Sequence, residues 1–132
     1  MDREMIDDLT LIARASALAR HAAAASRVAA ENVANADVPG YRARGVADFA
    51  ATLDRLDTGF RPRVTRAGHF AGPAPEGPRV RVAEGPAAPN GNSVSIEGER
   101  MAAAEAASRH RLALAIRAEV VDLVRLGLGR GR

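Results

Sequence analysis

Residues 32–41 read NVANADVPGY. Asparagine, aspartate, proline and glycine all weaken a helix, yet this run follows a segment, Asp2 to Ala34, that holds neither glycine nor proline. The stretch therefore reads as a deliberate stop. Asn35 suits the left-handed conformation in which helices often end. Asp37 can bond the following amides as an Asx turn. Val38 is driven into an extended state by Pro39, and Pro39-Gly40 fits the two central positions of a type II turn. Tyr41 then offers an apolar face and a hydroxyl with which the reversed chain packs back on the helix.

Upstream, Met5, Leu9, Ile12, Ser16, Ala19, Ala23, Ser26, Ala30 and Val33 keep an unbroken 4-3-4-3 spacing, which predicts a seam against another helix. A helix over 1–36 would be roughly 50 Å long at about 1.5 Å per residue. Its seam is built from small residues that allow close backbone approach. Downstream, 37–94 is turn and irregular arm. Six of the seven prolines lie between Pro62 and Pro89, with glycines at 59, 68, 72, 77, 85 and 91, so 45–92 cannot be one long helix. Arg79-Val80-Arg81-Val82 alternates as a strand would and could pair with Arg63-Val64-Thr65 as a small hairpin. Asn90-Gly91 signals a turn.

The third region, 95–132, is again helical. Ser95 is a candidate N-cap, and Glu97 and Glu99 suit the positive pole of the first turn; Gly98 weakens that turn. Met101, Ala104, Ser108, Leu112, Ile116, Val120 and Leu123 mark one face. Leu114, Val121, Val124, Leu126 and Leu128 widen the apolar surface beyond what a lone small domain should expose. Glycines from Gly127 onward should release the helix. The fold class expected is mainly α: long N- and C-terminal helices pairing as an antiparallel coiled-coil-like hairpin, with an irregular middle arm.

The chain has 132 residues, one small domain's worth, and much of its 47% apolar content is alanine, with 3% aromatics. Tyr41, Phe49, Phe60 and Phe70 are its aromatics, so both ends are built from aliphatic and small side chains. Alanine buries little area, which implies that much of the order comes from a partner. All 19 basic residues are arginine, against 16 acidic ones, for a net charge of +3. The signs are interspersed, as on a solvated or ion-paired surface. There is no cysteine, hence no disulfide framework. No apolar run is long enough to span a membrane, and the start, MDREMIDDLT, lacks the basic-then-apolar pattern of a cleaved signal.

Catalytic and ligand-binding patterns are not found. His21, His69 and His110 have no metal-ligand partner at i+3 or i+4 and read as surface or interface residues. Glu31 and Asp37 read as residues flanking a helix end. Gly127–Gly131 mimics a phosphate loop without the strand and helix such a loop needs. No cofactor or small-molecule substrate is expected. The rival from composition is a basic helical nucleic-acid-binding protein, with arginines 42, 44, 61, 63, 66, 79 and 81 on phosphates. Few aromatics are interleaved to stack on bases, and no recognition motif is present.

NVANADVPGYRAR (32–44) closely resembles the N-terminal signature of the flagellar axial proteins of rod, hook and hook cap. A second stretch, Asn92-Ser93-Val94-Ser95-Ile96-Glu97, resembles the start of the C-terminal helix in the short proximal rod members of that family. Here Ser95 stands where an aspartate cap is usual. The resemblance covers about 28–50 and 90–112 and does not reach 51–89. It implies a structural, non-enzymatic subunit of the proximal rod in the periplasmic part of the flagellar basal body, serving motility. It also implies export by the flagellar type III apparatus without a cleaved signal. The implied partners are copies of the chain, neighbouring rod proteins and the adaptor between the MS ring and export gate. The implied signature residues are Asn32, Asn35, Asp37, Pro39, Gly40 and Tyr41, then Asn92, Val94, Ser95 and Glu97. Leu9, Ile12, Ala19, Ala23, Val33, Leu112, Ile116, Val120 and Leu123 would carry helix assembly.

Overall fold

A computed structural model describes residues 3–58, 65–66 and 77–129. Helix α1 spans Arg3–Ala34, strand β1 Arg44–Val46, helix α2 Phe49–Thr58, strand β2 Val80–Val82 and helix α3 Ile96–Gly129. The two long helices pack against one another along their lengths. Asn32 meets Glu99 and Ala19 meets His110, so they run antiparallel. Thus the chain is mainly helical, with both terminal helices joined.

The buried stripe on α1 follows Ala15, Ala22, Ala29 and Asn32, with Leu18 and Ala25 half-buried between them. On α3 it follows Ala106, Ala113 and Val120, flanked by half-buried Glu99, Ala103, His110 and Val124. The core is therefore mostly methyl groups. Each contributes roughly 0.8 kcal/mol, against about 1.5–3 for a buried leucine or valine. The α1 stripe lies one residue off the spacing expected from sequence, whereas on α3 the expected Val120 is buried and the rest of the stripe runs through Ala106 and Ala113 in place of Ala104, Ser108 and Leu112. On α1, Ile12, Ser16 and Ala19 are half-buried, whereas Ala23, Ser26, Ala30 and Val33 are exposed. The cause is a second covering: the polypeptide after the turn also lies on α1, over Ala17, His21 and Val28, which draws the centre of burial toward it. On α3, Ile116 is half-buried and Val120 buried, while Met101, Leu112 and Leu123 are exposed. Met5 and Leu9 lie in α1, where the described side chains begin at Thr10.

The arm departs from the irregular reading. Residues 49–58, FAATLDRLDT, hold no helix breaker and form α2, with Phe49 ring-to-ring against His21 at 5.4 Å. A small antiparallel sheet exists, but β2 pairs with β1 in the register Arg44↔Val82, Gly45↔Arg81, Val46↔Val80. It is not a local hairpin. Ala83 N–H donates to Ala43 O (2.7 Å) and Ala47 N–H to Arg79 O (2.8 Å), extending the ladder at both ends. Arg63-Val64, Phe60, Phe70, His69 and Arg61 lie outside the described residues. At the other end, α3 continues through Gly127 to Gly129, because nothing packs there to demand a turn.

His21 is buried, not a surface residue. Its Nε2 lies 2.7 Å from Ala47 O, so that nitrogen carries the proton and donates; Nδ1 has no partner among the described residues. This bond and the Phe49 contact fasten the arm onto α1.

Candidate functional site: the junction of helix exit and helix entry

The two sequence signatures, separated by half the chain, fold into one polar junction. At its base is Asn32, fully buried in the last turns of α1. Its Nδ2 donates to Arg44 O (2.7 Å) and to Glu99 Oε1 (2.9 Å). Its Oδ1 accepts from Arg44 N–H (3.0 Å) and from the Tyr41 hydroxyl (3.2 Å). One carboxamide thus uses its two donors and two acceptor positions to tie together α1, the post-turn chain and the first turn of α3. A buried amide is tolerated only when so satisfied.

The helix stop is built without a left-handed asparagine. Among the described residues only Gly40 and Gly91 have positive φ. Asn35 instead turns its Nδ2 back to Glu31 O (2.7 Å), and its own N–H is shared between Glu31 O and Asn32 O, which satisfies the orphan carbonyls of the last turn. Nor does Asp37 form an Asx turn. The second residue on is Pro39, which has no N–H, and the Gly40 N–H is already given to Asn90 O at 2.9 Å. Asp37 is exposed. Pro39 and Gly40 hold the centre of the reversal: Tyr41 N–H donates to Val38 O at 3.3 Å, with Gly40 at φ 73°.

Asn92 holds the other half. It is buried, and its Nδ2 faces three carbonyls just past the end of α1 and in the turn: Asn35 O (3.0 Å), Ala36 O (2.8 Å) and Val38 O (2.8 Å). Its Oδ1 accepts from Val94 N–H at 2.8 Å. Asn92 therefore caps the end of α1 from 57 residues away while shaping the approach to α3. Ser93 N–H donates to Tyr41 O (3.0 Å), and Ser93 Oγ accepts from Ala43 N–H (2.9 Å). Ser95 then caps α3, its Oγ accepting from Gly98 N–H at 3.2 Å. Val94 is half-buried and Glu97 exposed. Gly91, at φ 81°, is pressed against the turn: a Cβ there would stand 3.2 Å from Gly40 Cα.

Arg44, Ser93 and Glu99 are junction residues that the sequence offered only in other settings, Glu99 for the helix pole and Arg44 and Ser93 within the signature stretches. Arg44 contributes through its backbone and by an exposed pair with Glu31 at 3.7 Å; only the adjacency of the signatures could have pointed to them. Chemically the junction is a clamp. Its groups are amides, hydroxyls and carbonyls bonded to one another. Among the described residues no cluster of three or more His, Asp or Glu could hold a metal.

No protein-family model matches the chain. Among curated proteins it is similar to the flagellar basal body rod protein FlgB of Cereibacter sphaeroides, 37% identical over 87 residues, or 64% of this chain and 67% of that protein. The same protein from two further strains of that species matches to the same extent.

Proposed function

We propose a function from one premise: this chain belongs to the family of the flagellar basal body rod protein FlgB. It is a structural subunit of the proximal rod of the bacterial flagellar basal body, built for motility. It assembles through its terminal helices with copies of itself and with neighbouring rod proteins, including the adaptor at the MS ring and export gate. It reaches the periplasmic part of the basal body through the flagellar type III export apparatus, without a cleaved signal.

The observation that carries this reading is the union of the two signatures in one clamp. Asn32 and Asn92 lock the exit of α1 to the entry of α3, which fixes the helix pair and starts the arm back along α1. The apolar groups left outside support it too. Met101, Leu112, Leu123, Leu126 and Leu128 on α3 and Val33 on α1 are each at least 39% exposed, more than a helix pair on its own should present to water. The small residues Ala23, Ser26 and Ala30 leave room for a neighbour's helix, and the α1 and α3 seams predicted from sequence lie where such a neighbour would meet them. No described helix is long and apolar enough to cross a membrane, so association with a basal body would come from protein contacts.

The test is co-purification. Tagged chain expressed in a flagellated host lacking its own copy should be recovered in detergent-washed basal bodies and should restore swimming. Recovery only in the soluble fraction, with no effect on motility, overturns the proposal.

A further inference from the structure

We infer that the two flanks of α3 are complementary halves of one contact between copies of this chain, docked side by side and parallel with a stagger of six residues. The inference rests on the rod reading and adds to it which surfaces meet and in what register.

The side of α3 turned toward α1 is fixed by Ala106, Ala113 and Val120. At about 100° per residue, Met101, Glu105, Ser108, Leu112, Glu119 and Leu123 fall on one flank. Ala107, Arg111, Leu114, Ala118, Arg125 and Gly129 fall on the other. The clefts between the helices agree with this division. One cleft is lined by Ala23 and Ser26 of α1 with Ala107 and Arg111. The other, on the side of the arm, is lined by His21, Ala25 and Val46 with Glu105. These twelve residues are exposed, so the described residues leave both surfaces open.

These six residues of the first flank each have a counterpart six positions later on the second, and the pairs complement one another. Met101 meets Ala107, Leu112 meets Ala118 and Leu123 meets Gly129, large against small. Ser108 meets Leu114, small against large. Glu105 meets Arg111 and Glu119 meets Arg125, acid against base. A single axial shift of roughly 9 Å, six residues at about 1.5 Å each, aligns all six at once. The Ala23–Ser26 edge of α1 deepens the receiving flank beside Ala107 and gives Met101 space to enter.

Charge also decides against a closed pair. Set against itself, the second flank would bring Arg111 and Arg125 toward their own copies, and the first would do so with Glu105 and Glu119. Like charges across a contact cost several kcal/mol. Unlike flanks can only join head to tail, and a contact of that kind propagates. Two of the charges already have partners within the chain, Glu105 with Arg109 at 2.6 Å and Arg125 with Asp122 at 3.1 Å. Both pairs are exposed and of the kind worth little in water, so they exchange readily for a contact that excludes water.

Charge reversal and cross-linking test the register. Glu119→Arg and Arg125→Glu sit on exposed surface and leave the fold intact. Each alone should lower incorporation into basal bodies about tenfold or more, and the two together should restore it. Because the chain has no cysteine, Leu112→Cys with Ala118→Cys should give a disulfide-linked ladder of this chain in isolated basal bodies. Leu112→Cys with Ala107→Cys, out of register, should not. Wild-type incorporation of both single reversals overturns the contact and leaves the rod reading standing. So does a cross-link from the Leu112→Cys thiol to a different protein. Absence of the unmodified chain from basal bodies takes down both.

Discussion

Gly40 and Gly91 meet back to back: both have positive φ, and a methyl group on Gly91 would approach the Gly40 Cα to 3.2 Å. At this point the turn that ends α1 and the turn that precedes α3 touch backbone to backbone. The two glycines nevertheless differ, because a methyl group on Gly40 would meet nothing within 4 Å. Gly40→Ala should therefore cost only the conformational penalty, about 1 kcal/mol. Gly91→Ala should cost that and a backbone displacement, about 2–3 kcal/mol. Thermal melting followed by circular dichroism should rank Gly91→Ala below Gly40→Ala, and equal midpoints would contradict the close approach.

Asn32 is the residue whose loss the junction should feel most. Asn32→Leu keeps a similar volume but strips partners from the Arg44 backbone, the Tyr41 hydroxyl and Glu99. The expected loss is about 2–4 kcal/mol. Glu99→Gln retains a carbonyl oxygen to accept from Asn32 Nδ2 and should change stability by less than about 0.5 kcal/mol. Urea titrations of both variants measure the contrast; a destabilised Glu99→Gln would mean that the carboxylate charge matters in its own right.

The start of α3 permits opposite changes three residues apart. Ser95→Ala removes the cap on the Gly98 N–H and should cost about 1 kcal/mol. Gly98→Ala places a methyl 3.4 Å from Ser95 Oγ, a contact that a small side-chain shift relieves. It should gain about 0.5–1 kcal/mol from helix propensity. Hydrogen exchange at the amides of 96–101 should slow in the second variant and quicken in the first.

Ile116 lies half-buried beside the fully covered Val120, between the helix pair and the outer flank of α3. Ile116→Asp places a charge in both the intrachain and the proposed interchain environment, at a cost of several kcal/mol. Helical signal should fall modestly, and incorporation into basal bodies should vanish. Unchanged incorporation would remove this position from the assembly surface.

The broad plan of the chain was legible from local signals. The glycine-free runs on either side of the arm announced both long helices, and Pro39-Gly40 announced where the first gives way. α2 was hidden by its neighbourhood: the density of prolines after Pro62 coloured the reading of 45–92, although FAATLDRLDT contains none. The partner of β2 was not legible either, because a two-strand register linking Arg44 to Val82 leaves no periodic trace. The one-residue displacement of the buried stripe on α1 has the same origin. Heptad spacing shows that a helix has an apolar face, but which part faces its own chain depends on what else covers it, here His21's attachment to Ala47 and Phe49. Within the junction, composition pointed to asparagines and glycines. The bonds by which Asn32 and Asn92 pin the junction together span 9 to 67 residues, and no local rule predicts such distances.

The ladder between Arg44–Val46 and Val80–Val82 has a practical consequence. The chain leaves the sheet at Val46 and returns to it at Val80, and the register holds those two points opposite one another. The excursion that follows α2 thus starts and ends on one closed base, which fixes its ends whatever its length. Doubling such an excursion would add only about 0.6 kcal/mol of closure entropy. The base is a natural port for grafting a reporter or an affinity tag while the helical body stays unchanged.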